Sequence, residues 1–461
     1  MSGEQGSTGQ TKLTGQLSLL SVVAFGVSYM SPSMVVVVFG VVATTSAGTA
    51  PTAFLLATGA MLLTGLSYAR MARLHPGSGS AYSYTRHFLG APAGFLVGWT
   101  VLLDYLFLPM VAWLVQSIFL NAQFPAVPVW AWMLMHAVAT TMVNIVGVKV
   151  ADRVNLLCTS VAVFVSLLFI GYLTTYLGHH WPGSCTAPLW NAHSEGFGIS
   201  SAASVAAYSY LGFDAVTTLS EETRDPERTI PRAVILVLVI GGLLSTGTAY
   251  LMQLVHPGGL FDDPEIIGYT MAAQIGGQTF ADWTNTADLI AGFASVLAVQ
   301  LASSRLLFSM GRDGVLPKRV FGRLHPRTGT PVLCLLFTGA MCLLGLDMSL
   351  ETATSFINFG AFLAFSAVNV CVIAHYLRNR TSPRLGVAGH VVAPALGLGV
   401  TVYLLSQLSA TALTIGSCRL AIGFGHLLWL TRGFRRPTPE MSLDDEPAAT
   451  GHVEKEAATP A

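Results

Sequence analysis

Charge is what this chain has least of. Asp, Glu, Lys and Arg make up 10 % of its 461 residues, against about a quarter in an average soluble domain. That is too few to coat a water-facing surface of this size. Acidic and basic residues balance at 23 each, so the global charge carries no footprint for a nucleic acid. Metal chemistry lacks its usual spacings: no Cys-x-x-Cys or His-x-x-x-His occurs. Cys158, Cys334, Cys342, Cys371 and Cys418 lie in apolar runs and Cys185 in a polar loop, as free thiols do. The His75-Pro76 and His325-Pro326 pairs complete no nucleophile–base set, which argues against an enzyme, and nothing calls for a cofactor. The stretch Met1–Thr14 has no cleavage pattern, so no removable signal peptide is expected.

What the chain does have is apolar length. Runs of about twenty residues match a hydrocarbon core of about 30 Å, so the expected solvent is a lipid bilayer. Twelve such runs appear: Leu17–Val42, Pro51–Met71, Ala91–Leu120, Val127–Val148, Leu156–Leu177, Gly198–Ser220, Ala233–Val255, Thr286–Met310, Pro331–Leu346, Thr352–Tyr376, Leu385–Leu405 and Ser409–Leu430. Cytoplasmic loops of membrane proteins collect Lys and Arg. With a cytoplasmic N-terminus, all basic residues fall in or beside inner segments, Arg419 in the last run excepted. The expected molecule is therefore an all-α membrane protein of twelve transmembrane helices with both termini cytoplasmic, in a cell membrane. Residues 1–16 form an inner tail and 432–461 a Pro-, Ala- and acid-rich disordered tail. The loop His256–Trp283 is expected outside, partly as short interfacial helices.

Two runs carry helix-breaking residues at matching places. The first contains Gly26, Ser28, Ser31 and Pro32; the sixth contains Ser209, Gly212 and Asp214. Each opens a block of five runs, residues 17–177 and 198–377, with 385–431 appended. Matched interruptions point to a site at the bilayer midplane between inverted repeats. Unwound backbone there can bind a solute directly. Asp104 and Asp214 are the acidic residues near mid-span, each costing on the order of 3 kcal/mol if left unpaired. Only Arg419 is basic at any comparable depth, so ion pairing within the protein is not expected, and a cationic substrate, sodium ion or proton becomes the missing partner. Tyr29, Tyr105, Tyr208, Tyr210 and Phe213 lie at the same level and can cover an ammonium. Gly26, Val27, Ser28, Tyr29, Asp104, Tyr105, Tyr208, Ser209, Tyr210, Gly212, Phe213 and Asp214 are thus the candidate binding residues. Asp214, Ser303 and Ser304 are candidates for ion coupling, although hydroxyls more often bond back to their own helix. His136, Gln300, Asn358, Asn369 and His426 are weaker intramembrane candidates.

The stretches PGSGSAYSYTRHFLG (Pro76–Gly90), NIVGVKVADRVN (Asn144–Asn155), YLGFDAVTTLSEETRDPERTIPRA (Tyr210–Ala233) and SRLLFSMGRDGVLP (Ser304–Pro317) resemble the amino acid–polyamine–organocation superfamily. GVSYMSP and SYLGFDAVTTLSEE look most like its bacterial putrescine importers and related permeases. The resemblance implies a leucine-transporter-type five-plus-five inverted repeat with broken helices one and six, and transport of a small amine or amino acid by alternating access. It puts Tyr208 where arginine-exchanging members have a substrate-covering tryptophan, and Asp214 on their glutamate, implicated in proton-linked release. Two departures matter. Gly26-Val27-Ser28-Tyr29 replaces the Gly-Ser/Thr-Gly turn that holds a substrate carboxylate, which favours an amine without one. About Ala162 falls where some proton-driven members carry lysine. A neutral or basic amino acid remains the alternative substrate, and a non-transporting solute sensor the less favoured activity.

Overall fold

The computed structural model describes residues 17–31, 33–75, 80–146, 152–181, 183–312, 314–325, 330–379 and 386–438. The expected tails (all of 1–16 and most of 432–461), Pro32 and several of the basic loop positions lie outside these. Among the described residues the secondary structure is helical, apart from one isolated bridge pair.

The chain opens with α1 (Leu19–Met30) and α2 (Met34–Thr45), then α3 (Ala50–Leu74), a short α4 (Ala81–Leu89), α5 (Ala91–Gln123), α6 (Val129–Val146) and α7 (Asp152–His179). It continues with α8 (Gly196–Ala206) and two 3₁₀ segments, Ala207–Tyr210 and Asp214–Glu222. After these come α9 (Pro226–Val255), α10 (Ile267–Gly276), α11 (Gln278–Arg312) and α12 (Lys318–Phe321). The last stretch holds α13 (Val332–Ala340) with a 3₁₀ extension to Gly345, α14 (Leu350–Arg378), a π-turn at Ala388–Val392, α15 (Ala393–Ser406) and α16 (Ala410–Leu430). Serine caps set several starts. Ser18, Ser80, Ser349 and Ser409 each accept the backbone N–H three residues on, satisfying one of the four orphan donors of a helix N-terminus.

Nine helices among the described residues are long and apolar enough to cross a membrane, and ten if α1 and α2, bent by 47°, form one span. The expected sixth and ninth runs fall outside that test because one is broken at residues 207–213 and the other, Val332–Gly345, is short. The expected outer loop contains α10, which packs on α2, α7 and α11.

Several elements pack as pairs. α2 lies on α8, while α1 lies on the 3₁₀ segment Asp214–Glu222. The long helices α3 and α9 form the most extensive contact in the molecule, α5 packs on both α11 and α14, and α11 packs on α7. Where the chain enters α1, Leu17 pairs with the end of the second 3₁₀ segment: its N–H donates to the Glu222 carbonyl at 2.9 Å and its carbonyl accepts from Arg224 N–H at 3.1 Å.

Outside the spans, Glu265 accepts the Leu350 N–H at 2.7 Å, capping α14 from a distant loop. Burial is the largest influence on this carboxyl and lifts it above the usual glutamate range. A raised folded-state value means the native state holds the proton more tightly than the unfolded chain. Stability therefore falls as pH rises from the ordinary glutamate range through the raised value. The detergent-solubilised protein should lose melting temperature across that window, and Glu265→Gln should flatten the loss. An identical pH profile in the variant would remove Glu265 from this account.

Candidate functional site

The two interruptions are real, and they touch. In the first, helix geometry persists through Gly26-Val27-Ser28-Tyr29 to Met30, and Ser31 leaves it with φ 50°. Unwinding is therefore later than the sequence suggested, since Gly26 to Tyr29 still form regular helix. Gly26 has a packing role: a Cβ there would sit 2.6 Å from side-chain carbons of Val216 and Val237, so its absence lets α1 close on the second 3₁₀ segment and α9. In the second interruption, Leu211 is extended and Gly212 has φ 101°. The Tyr29 ring lies where a Gly212 side chain would be, so the two breaks meet ring to backbone. 3₁₀ turns flank this break on both sides.

Between the breaks and α9 is a pocket of about 10 Å³, lined by Val27, Met30, Ser31, Ser209, Gly241, Leu244 and Ser245. That is about one water molecule. The Ser209 hydroxyl is buried beside it and has no hydrogen-bond partner. Behind Val27 a second pocket of about 60 Å³ runs along α7, past Val163 and Ser166.

The other expected residues divide. Tyr208 is buried. Tyr210 is also buried, but its hydroxyl is shared with Thr58 at 2.7 Å and donates to the Phe54 carbonyl at 3.2 Å, tying the break to α3. Phe213 packs edge-on to Tyr68 and against Phe365, at 5.4 and 5.1 Å between ring centroids. Both therefore brace the break. The Asp214 carboxylate takes hydrogen bonds from backbone N–H groups at Gly212, Asp214 and Ala215. It sits at the start of the second half-helix, where unpaired amides and the helix dipole favour an anion. Asp104 lies within electrostatic reach of Asp214. Its carboxylate presses on Gly360 of α14, and its Oδ1 is buried without a partner.

One expectation needs correction. Asp104 does have a basic neighbour: Arg419 of α16 lies within electrostatic reach of it. Mid-span depth could not be read for a residue on the last run, and the approach of α16 to α5 and α14 brings the charge in. The coupling candidates Ser303 and Ser304 are committed to backbone. Ser303 donates to the carbonyls of Tyr105 and Val299, and Ser304 to that of Leu301. Ser303 thereby joins α11 to α5, Ser304 bonds within α11, and neither lines the pocket between the breaks. No cluster of three His, Cys, Asp or Glu suited to a metal exists among the described residues.

The sequence comparisons can be set beside this geometry. Residues 17–424 match the family model described as amino acid permease. The chain belongs to the amino acid permease family. This permease is 33 % identical over 441 residues to the low-affinity putrescine importer PlaP of Escherichia coli, covering 94 % of this chain and 97 % of that protein. It is 28 % identical to the branched-chain amino acid permease BcaP of Bacillus subtilis, over 87 % and 90 % of the two chains. Against the vacuolar cationic amino acid transporter 4 of Arabidopsis thaliana it is 30 % identical over 79 % and 64 %.

Of the permease's weaker candidates, Asn358 gains most. Its amide donates to the Ser204 carbonyl at 2.7 Å, just ahead of the break, and its Oδ1 is buried and unpartnered. Gln300 bonds to Asn144 and Thr141 and Asn369 to Ser67 and Thr64, as cross-helix ties, while His426 bonds to the Val315 carbonyl in the loop after α11. The His136 Nδ1 is buried without a partner, against Phe293. Ser31, expected as a break residue, lines the pocket, and so does Ser245 of α9, which the sequence reading did not single out.

Proposed function

We propose that this permease is a secondary carrier of a small organic amine or amino acid, working by alternating access around the two broken helices. The observation that carries the reading is the meeting of the breaks: Tyr29 over Gly212, with the unpartnered Ser209 hydroxyl and the Asp214 carboxylate on the same short segment. The paired packing of α1 with the second 3₁₀ segment, α2 with α8, and α3 with α9 supports a five-plus-five inverted repeat, and the gathering of Lys and Arg in alternate loops of the sequence supports both termini facing the cytoplasm.

The amino group is read at the break in helix six, where Asp214 already occupies the anion position at the half-helix start. This favours an amine lacking a carboxylate, in keeping with a putrescine-importing relative, and a cationic amino acid is the second reading. A dication already has a driving force, since two charges across about 100 mV are worth about 4.6 kcal/mol. Coupling to a proton at Asp214 or to sodium is secondary to that.

Uptake into proteoliposomes tests the proposal, comparing labelled putrescine with labelled lysine and leucine, with and without a pH gradient. Saturable uptake of an amine-bearing solute is expected. Ligand binding without turnover would instead identify a sensor.

A further inference from the structure

The last turns of α3 carry a charge that the carrier reading does not use. Leu66, Arg70 and Leu74 recur at intervals of four, so they share one face of this membrane-crossing helix. Both leucines are exposed, which turns that face to the lipid. Arg70 is half-buried between them, and its Nη1 is covered without a hydrogen-bond partner.

Beside this face runs α15, which packs on α3. Its π-turn, Ala388–Val392, brings a bare glycine to the guanidinium: a Cβ at Gly389 would stand 3.2 Å from the Arg70 Nη2. Such turns are rare and recur at functional sites. Val392 and Leu396, four apart at the start of α15, are also exposed. Asn369 of α14 fixes the relative depths. It bonds to Ser67 and Thr64 of α3 and lies against Gly397 of α15. Leu66 and Leu396 therefore stand at one level, with Arg70 and Gly389 nearer the membrane surface. The two helices thus bound a groove with apolar walls and a guanidinium at its mouth.

No acidic side chain of these elements offsets that charge. Residues 50–103 and 352–439 contain neither Asp nor Glu. The helix α9, which carries Glu227, packs on α3 at Gly65, away from the leucine face. Arg73, one turn beyond Arg70, is exposed and adds a second positive charge.

We propose that the groove between α3 and α15 binds an anionic phospholipid, its phosphodiester on Arg70 and an acyl chain along Leu66 and Leu396. The planar fork of a guanidinium matches the paired oxygens of a phosphate. Basic pockets between membrane helices on the cytoplasmic side hold lipid head groups in this way. That side is the one the orientation proposed above gives to Arg70. Free phosphate would meet the guanidinium alone, whereas a phospholipid also covers the exposed leucines.

The test reads lipid binding without transport, so its failure leaves the carrier reading standing. The full-length protein, delipidated in detergent, is titrated with phosphatidylglycerol or phosphatidylcholine, and bound lipid is counted by native mass spectrometry. The wild type should hold phosphatidylglycerol at least tenfold more tightly, equivalent to about 1.4 kcal/mol. Arg70→Gln should erase that preference, and Arg70→Lys, which keeps the charge and loses the fork, should retain part of it. Gly389→Leu, which keeps the charge and fills the groove, should weaken phosphatidylglycerol binding at least tenfold. A wild type without preference, or an Arg70→Gln protein with the preference undiminished, overturns the inference. Should Arg70→Gln fail to fold, unchanged phosphatidylglycerol binding in Gly389→Leu overturns it equally. Displacement of the lipid by equimolar inorganic phosphate would make this a free-phosphate site and overturn the lipid assignment. A chain ending at Thr438 that binds phosphatidylglycerol tenfold more tightly would make the acidic segment 439–461 the occupant instead.

Discussion

Asp214→Asn should weaken the amine affinity of the carrier about thirtyfold while leaving its fold intact. Asparagine keeps the oxygen that accepts the amides at Gly212 and Ala215, so the start of the second half-helix stays capped. What disappears is the charge. Removing one member of a charge-assisted contact to an ammonium costs on the order of 2 kcal/mol, about thirtyfold in half-saturation for the amine. Scintillation proximity binding and liposome uptake should fall together, with an unchanged elution profile. If binding survives and only the pH dependence of uptake is lost, Asp214 carries the proton and the ammonium is held elsewhere. If neither changes, the carboxylate is only a helix cap, and the amine site must be sought at Asp104.

Gly212→Ala should stop transport for a different reason. The residue sits at φ 101°, a region where a side chain costs roughly 1–3 kcal/mol. Any Cβ there would also collide with the Tyr29 ring. Both penalties fall on the point where the breaks meet. Uptake should drop at least tenfold, with the melting temperature lowered by a few degrees. Adding Tyr29→Ala removes the collision and leaves the backbone strain, so the double variant should recover part of the uptake. Full activity in Gly212→Ala alone would show that the break adopts another conformation during turnover.

The fold was legible because membrane depth imposes few alternatives. Backbone polar groups must be satisfied within each span, so apolar length translates almost directly into helices. The interruptions were legible too, since Ser31 and Gly212 belong to the residue types that leave a helix. What could not be read was where side chains point across the bundle. Tyr210 and Phe213 flank the break in sequence, yet the former reaches back to Thr58 and the latter into the Tyr68–Phe365 rings. Gly26 looks like a hinge and is a packing contact. Ser303 and Ser304 look like ion ligands and donate to carbonyls. Arg419 sits about three hundred residues from Asp104, and only helix packing brings the two together. Local rules govern where a helix stops; distant partners govern what its side chains touch.

The second 3₁₀ segment, Asp214–Glu222, runs for nine residues, long for a conformation that is usually used in runs of three or four. A 3₁₀ helix rises about 2.0 Å per residue with three residues per turn, and an α-helix about 1.5 Å with 3.6. Rewinding all nine residues would shorten the segment by about 4.5 Å. It would also rotate one end against the other by roughly 180°. The segment is thus a screw as well as a spacer. Because Leu17 is hydrogen-bonded to its far end, a change of winding would draw the entry to the first helix along the same axis. The Asp214 carboxylate and the mouth of the bundle at Leu17 would then turn on one thread.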